Sequence, residues 1–360
     1  MLKKPAWSEF HLKDSHGLWT PLLAAASAAY GLGLSLCPVP AEKRLPGFVL
    51  SVGNLVAGGS GKTPAVVMLA RWAQRCGHRA AVLSRGYRSS FRGRVLEVSS
   101  DTNVNPEAGS GGDEPYLLAE SIPGVPVIVA RKRYEAGVYA GRKFGSEFFI
   151  LDDGFQHREL ARDFDLVLMD AVEPWGNGYL LPRGPLREPL ESLERADAVV
   201  LTRADRGDRG AATTHVFRSR GYTMPVFRAE HSPECIVEPG GATVSLGRLN
   251  GLPVVAFSGI GSPGSFRRSL ESLGAVIVHF EAFPDHHLFS PGELAGLEST
   301  RRRGGAEWLV TTEKDWARMK AAGVSCPIST RFLRIVFSLA PGSEGLLKMI
   351  SERIGDGLHR

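Results

Sequence analysis

Apolar and polar positions along this chain fall into two alternating rhythms. Short continuous apolar runs occur at 48–52, 80–84, 125–130, 148–152, 166–170 and 198–202. Between them lie stretches with apolar residues three or four apart, at 65–76, 113–120 and 131–143. Unbroken apolar runs suit strands buried on both faces, and their alternation with helices predicts a parallel sheet covered on both sides. The rhythm restarts with strands at 254–257, 276–280, 308–311 and 332–337 and helices at 264–273 and 345–354. Residues 204–252 are rich in Arg, Gly, Ser, Thr and Pro and read as a connection, with an extended piece at Pro225-Val-Phe-Arg228.

The N-terminus follows a third pattern. From Asp14 to Glu42 no residue between carries a formal charge, the titratable His16 apart, and 18–37 is apolar and rich in small residues. About 20 apolar residues are needed to span a bilayer. Lys3, Lys4 and Lys13 precede the stretch, and Lys43 and Arg44 follow it. A buried core helix would also fit. The basic flanks favour a helix inserted in, or lying on, a membrane with anionic lipid. The chain therefore divides into a membrane-associated helix (1–40), a larger α/β core (41–210), a connection (211–252) and a smaller C-terminal α/β domain (253–360).

Composition narrows the class. At 360 residues with 43% hydrophobic and 22% charged positions, the chain is globular rather than disordered or many-spanning. The net charge of +5 is a mild excess that suits an anionic partner without choosing one. Cys37, Cys76, Cys235 and Cys326 are far apart with no CxxC spacing, which argues against a disulfide framework or a zinc site.

Two motifs carry chemistry. Gly53-Asn-Leu-Val-Ala-Gly-Gly-Ser-Gly-Lys-Thr-Pro64 follows a predicted strand and opens a predicted helix. In a P-loop, backbone N–H groups and the helix N-terminus cradle phosphate, a Lys meets the β/γ oxygens and a Thr holds Mg²⁺. Gly58, Gly59, Ser60, Gly61, Lys62 and Thr63 fit this, although Val56 stands where the strict pattern has its first Gly. The second motif is an apolar strand ending in Asp152-Asp153. Beside a P-loop, such a carboxylate holds the Mg²⁺ of the nucleotide. Together they predict a P-loop NTPase-like parallel sheet that binds ATP and Mg²⁺.

Further segments accompany these: Ser84-Arg-Gly-Tyr87, Gly112-Asp-Glu-Pro115, Pro182-Arg-Gly-Pro-Leu-Arg-Glu-Pro189, Phe283-Pro-Asp-His-His287 and Thr311-Thr-Glu-Lys-Asp315. As a set they closely resemble the tetraacyldisaccharide 4′-kinases, the lipid A 4′-kinases of Gram-negative bacteria, from the apolar helix to about residue 320. The family also lacks the first P-loop glycine. The resemblance implies an inner-membrane enzyme facing the cytoplasm, moving the γ-phosphate of ATP to the 4′-hydroxyl of a tetraacylated glucosamine disaccharide 1-phosphate. It implies no nucleic acid and no obligate protein partner.

Residue roles follow from the resemblance. Lys62 would neutralise the transferring phosphoryl group, Thr63 and Asp152 would hold Mg²⁺, and Asp153 would share that metal or orient its waters. Asp113 would be the catalytic base, working with His286, or with the adjacent His287. Read from the residues alone, Asp113 is a helix N-cap with Pro in the first turn. Because Asp113 and His286 fall in different predicted domains, the site would lie in a cleft and require closure. Arg85, Tyr87, Arg133, Gln156, His157, Arg187 and Glu188 would contact the substrate, arginine being suited to its 1-phosphate. Thr311 to Asp315 would either touch the nucleotide or simply end a strand and cap a helix. The competing reading is a membrane-associated P-loop switch ATPase acting on a protein. It leaves Gly-Asp-Glu-Pro, Arg-Gly-Pro-Leu-Arg-Glu and Asp-His-His without a role.

Overall fold

The computed structural model describes residues 19–38, 40–58, 61–86, 89–105, 107–204 and 209–357. The chain forms two compact units, each assembled from separated segments. Among the described residues, the first comprises those within 19–85, 130–231 and 337–357, and the second those within 86–129 and 232–336.

The first unit is built on six parallel strands. Their spatial order is Ala80–Ser84, Phe148–Asp152, Phe48–Gly53, Phe164–Asp170, Ala198–Thr202 and the opening residues of Val226–Val237. Strand Phe48–Gly53 is buried along its whole length, as expected for a central strand with helices on both faces. Its register sets Val52 beside Asp152. The segments that follow these two strands therefore emerge side by side, where ligands bind in doubly wound sheets.

The second unit holds the parallel strands Val276–Ala282, Pro253–Ser258, Trp308–Thr312 and Thr330–Leu339, neighbours in that order. Phe257, Phe289, Leu294, Leu297 and Leu309 fill one side of this sheet, and Val254, Phe266, Leu270 and Val310 the other. Leu96–Ser99 and Val127–Val129 pair antiparallel.

The two units do not follow the linear boundaries expected from sequence. Residues 86–129 pack in the second unit, where helix Asp113–Ser121 lies against helix Glu313–Ala321. Ion pairs Lys314–Glu114 (3.2 Å) and Lys320–Glu120 (2.5 Å) tie these helices across some 200 residues of sequence. Gly109 sits so close to Ala321 that an added Cβ would come within 2.3 Å of its carbonyl oxygen. The final helix, Gly345–Gly357, belongs instead to the first unit, burying Leu346, Ile350 and Ile354. Arg353 pairs with Asp197 at 3.0 Å. Within 204–252 the structure has a helix, Arg209–Ser219, and a twelve-residue strand, Val226–Val237, that runs from one unit into the other. Helix Pro291–Arg303, opened by a capping box between Ser290 and Glu293, carries no marked apolar stripe and was not legible as a helix.

Helix Thr20–Leu36 docks on the first unit through its small and polar face. Buried Ser27 donates to the Leu180 carbonyl (2.8 Å), and the Tyr30 hydroxyl donates to the Arg187 carbonyl (2.9 Å). Leu22, Leu32 and Leu36 point away and are 60–73% exposed. Among the described residues, no helix is long and apolar enough to cross a membrane. Lys43 and Arg44 beyond it are engaged with Glu159 (2.7 Å) and Asp163 (2.9 Å). Lys3, Lys4 and Lys13 lie outside the described residues.

Candidate active site

The phosphate loop is shaped by two glycines. At Gly53 a Cβ would come 2.5 Å from Cβ of Phe155 and 2.7 Å from its backbone nitrogen, so only glycine lets the two strand-end segments approach. Gly61 takes φ 83°, a left-handed turn that starts helix Lys62–Arg75. Val56, in the position of the missing glycine, bridges to Leu186, and the chain pairs through Ala57 N–H to Pro185 O and Arg187 N–H to Leu55 O, both 2.7 Å. The Pro182–Pro189 segment thus braces the loop from one side. Gly59, Ser60 and Tyr87 lie outside the described residues.

Lys62 opens the helix with its Nζ 3.5 Å from Asp153 Oδ1. Arg187 Nη1 grips both Asp153 oxygens, at 3.1 and 2.9 Å. Asp153 itself has φ 52°, a conformation that costs a non-glycine residue energy and aims its side chain at these cations. Burial alone would raise its pKa, but Lys62, Arg187 and Arg133 outweigh it and hold the carboxyl below its ordinary value. Asp152 is buried at the end of its strand and accepts from Ser84 Oγ at 3.1 Å. Thr63 is also buried. Thr63 and the two aspartates are hard oxygen donors of the kind Mg²⁺ takes. Asp153 is already neutralised by two cations, so Thr63 and Asp152 fit the metal better.

Arg133, at the start of helix Arg133–Phe144, is 4% exposed, and its Nε meets no hydrogen-bond acceptor. Burial and the neighbouring Arg85 push its pKa down to about 10, against the pull of Asp152 and Asp153. A buried guanidinium beside a second arginine favours an anion such as phosphate. His157 is pushed down to about 4, chiefly by burial and then by Arg133, so it is neutral at pH 7. Its Nε2 is buried without a hydrogen-bond partner. Gln156 donates to the Asn54 carbonyl at 2.9 Å, fastening the post-strand segment to the phosphate loop. Glu188 is held by Arg195 at 2.6 Å. Arg187, Gln156 and Glu188 therefore serve the scaffold of this site in the structure, a role the sequence reading did not give them.

The second constellation lies within the second unit. His286 Nδ1 is 2.8 Å from Asp113 Oδ2, so the pair expected in different domains sits in one, with no interdomain closure needed to assemble it. His286 has φ 61°, another strained backbone in the same service. His287 turns elsewhere: its Nε2 is 3.0 Å from Glu293 Oε1 and its ring stacks on Phe283 at 4.7 Å. Asp113 is the first residue of its helix, the cap position being Gly112, and its Oδ1 accepts the Glu114 N–H at 3.1 Å. Burial acts to raise the Asp113 pKa, but hydrogen bonding and charge from His286, with Arg318, drive it well below the carboxylate range. Thr312 caps helix Glu313–Ala321, accepting from Asp315 N at 3.2 Å, which realises the capping reading of Thr311 to Asp315.

Sequence reasoning missed Arg318. It is 4% exposed and its Nε donates to Asp113 Oδ2 at 3.1 Å. Its spacing of three from Asp315 was the available signal, since residues three apart share a helix face.

Known proteins resemble this chain over most of its length. The family model described as Tetraacyldisaccharide-1-P 4′-kinase matches residues 19–354. The Tetraacyldisaccharide 4′-kinase of Syntrophus aciditrophicus is 43% identical over 87% of this chain and 86% of its own. That of Anaeromyxobacter sp. (strain Fw109-5) is 42% identical over 95% and 91%. A crystal structure of LpxK from Aquifex aeolicus in complex with ATP superposes with a TM-score of 0.70, at 33% identity over 94% of this chain and 96% of that one. The matched span includes the phosphate loop, the acidic strand end, Asp113 and His286, and the chain belongs to the Tetraacyldisaccharide-1-P 4′-kinase family.

Proposed function

We propose that the two constellations divide the work of one phosphoryl transfer. The chain is an ATP-dependent kinase of lipid A biosynthesis that phosphorylates the 4′-hydroxyl of a tetraacylated disaccharide 1-phosphate. On the donor side, the phosphate-loop backbone and the N-terminus of helix Lys62–Arg75 cradle the ATP phosphates, and Lys62 neutralises charge developing on the γ-phosphoryl group. Thr63 and Asp152 would hold Mg²⁺, which supplies electrostatic stabilisation of the phosphate oxygens when bound. Asp153, clamped by Arg187, positions Lys62. Arg133 and Arg85 would take a substrate phosphate.

On the acceptor side, the Asp113 carboxylate accepts the proton of the 4′-hydroxyl. The alcohol oxygen then bonds to the γ-phosphorus, the bond to the bridging oxygen breaks, and ADP leaves with that electron pair. His286, hydrogen-bonded through Nδ1, orients the carboxylate and balances its charge. The observation that carries this reading is the 2.8 Å Asp113–His286 contact between residues 173 apart in sequence. A switch ATPase has no use for such a pair. The test is transfer of label from γ-³²P-ATP in detergent micelles. Label is expected on the lipid disaccharide 1-phosphate, and release of free phosphate with no labelled lipid would overturn the assignment.

The same reading places the enzyme on the inner membrane, with helix Thr20–Leu36 lying on the cytoplasmic leaflet. Its support is the uncharged face carrying Leu22, Leu32 and Leu36 outward while Ser27 and Tyr30 hold the other face down. Replacing Leu22 and Leu32 by Glu leaves those hydrogen bonds intact. We expect this variant to move from the membrane to the soluble fraction with ATP binding unchanged. Full membrane retention would assign the anchoring to another surface.

A further inference from the structure

Asp113 does not stand alone with His286. Its Oδ2 receives a second donor, Arg318 Nε at 3.1 Å, while Oδ1 accepts only the Glu114 N–H among the described contacts. Arg318 is itself fixed on three sides. Its Nη1 donates to Asp315 Oδ1 (2.8 Å), to the Gly259 carbonyl (3.2 Å) and to the His287 carbonyl (3.4 Å). Asp315 is fully buried, and its other oxygen accepts Gly259 N–H (3.1 Å) and Thr312 Oγ1 (2.6 Å). Gly259 also accepts the backbone N–H of His286 at 3.0 Å. A closed network thus runs from the strand end at Thr312, through Asp315 and Arg318, to both members of the Asp113–His286 pair.

Such a network is costly to build. A buried carboxylate and a buried guanidinium each lose their hydration, which only good geometry and complete hydrogen bonding offset. Packing alone does not require it, because apolar side chains would fill the same space at less cost. What the charges add is orientation: two cationic or donor groups on Oδ2 prevent rotation of the carboxyl and leave Oδ1 as the oxygen presented to a substrate proton.

We infer that Arg318, locked by Asp315 and Thr312, is the positioning residue of the acceptor-side pair, so that the Thr312–Asp315 turn serves proton transfer and not the nucleotide. The inference rests on Asp113 being the base. Arg318 touches neither ATP nor the reacting hydroxyl in this scheme; it acts through Asp113.

The test compares kcat, KM for ATP and melting temperature in the full-length enzyme. Removing Arg318 alone would leave Asp315 buried without its counter-charge. The informative variant is therefore Arg318→Gln with Asp315→Asn, which removes both charges and keeps the shape. We expect kcat to fall roughly 10- to 100-fold, as for loss of a positioned acid–base contact, with KM for ATP unchanged. Arg318→Lys, which keeps the charge but cannot reach both aspartates in the same fork, should recover part of that loss. In an Asp113→Asn background the pair of substitutions should change the residual rate by less than about threefold, since residues acting as a unit are non-additive.

Wild-type kcat in the folded neutral pair, or a full additive loss in the Asp113→Asn background, would overturn the inference while leaving Asp113 as base. Should the neutral pair not fold, Arg318→Lys decides: an unchanged kcat there also overturns it. Full activity of Asp113→Asn alone would instead remove the base reading on which this one rests.

Discussion

Lys62→Ala should lose turnover by about 10²- to 10⁴-fold while the protein stays folded. Electrostatic stabilisation of a transferring phosphoryl group by one fixed cation is worth roughly 3–5 kcal/mol, and little else in phosphoryl transfer replaces it. The structure also says why the fold should survive. Lys62 makes one long contact, 3.5 Å to Asp153, and Asp153 keeps both of its bonds to Arg187. The phosphate loop is held by backbone pairing to the Pro182–Pro189 segment and by Gln156, none of which uses the lysine. Steady-state kinetics with a thermal melt check this. Turnover near that of the native enzyme would place the γ-phosphate elsewhere.

The second large effect belongs to the acceptor side. His286→Ala and Asp113→Ala should each lower kcat by about 10²-fold or more and leave KM for ATP unchanged, because the contact acts in the transition state. The double variant should be little worse than the poorer single one. The 2.8 Å bond makes the two residues a unit, and residues in contact do not add. His287→Ala should behave differently. Its ring packs against Phe283 and Phe289 and bonds to Glu293, so its loss should lower stability more than turnover.

Much of this was legible in the chain because it is local. The phosphate loop, the fully buried strand before it and the acidic end of Phe148–Asp152 are each contiguous, and their apolar patterns place them at the same sheet edge. The Asp113–His286 pair was reachable only through resemblance, since 173 residues separate its members and neither carries a local signal beyond a helix start. The choice between His286 and His287 needed coordinates: in the structure His286 Nδ1 lies 2.8 Å from Asp113 Oδ2, while His287 Nε2 lies 3.0 Å from Glu293 Oε1. Domain boundaries were not legible for the same reason. Residues 86–129 join the second unit through contacts to a helix about 200 positions later, and no composition shift marks the exit. Asp-Asp at a strand end suggests two metal ligands, yet the second carboxylate turns to Lys62 and Arg187. Arg318 was hidden because a charged residue on a helix is ordinarily solvated, and only burial distinguishes it.

The account stands most directly on Asp113→Asn. Asparagine suits a helix start about as well as aspartate, so that part of its structural role survives the change, while the charge shared with His286 and Arg318 does not. Asparagine cannot take a proton from the sugar hydroxyl. We expect kcat for γ-phosphate transfer to the lipid disaccharide to collapse with ATP affinity retained, in a protein that still folds but melts lower because the charge paired with His286 and Arg318 is gone. Full transfer activity in this variant would contradict the assignment of Asp113 as base and leave catalysis to the phosphate loop and its metal alone.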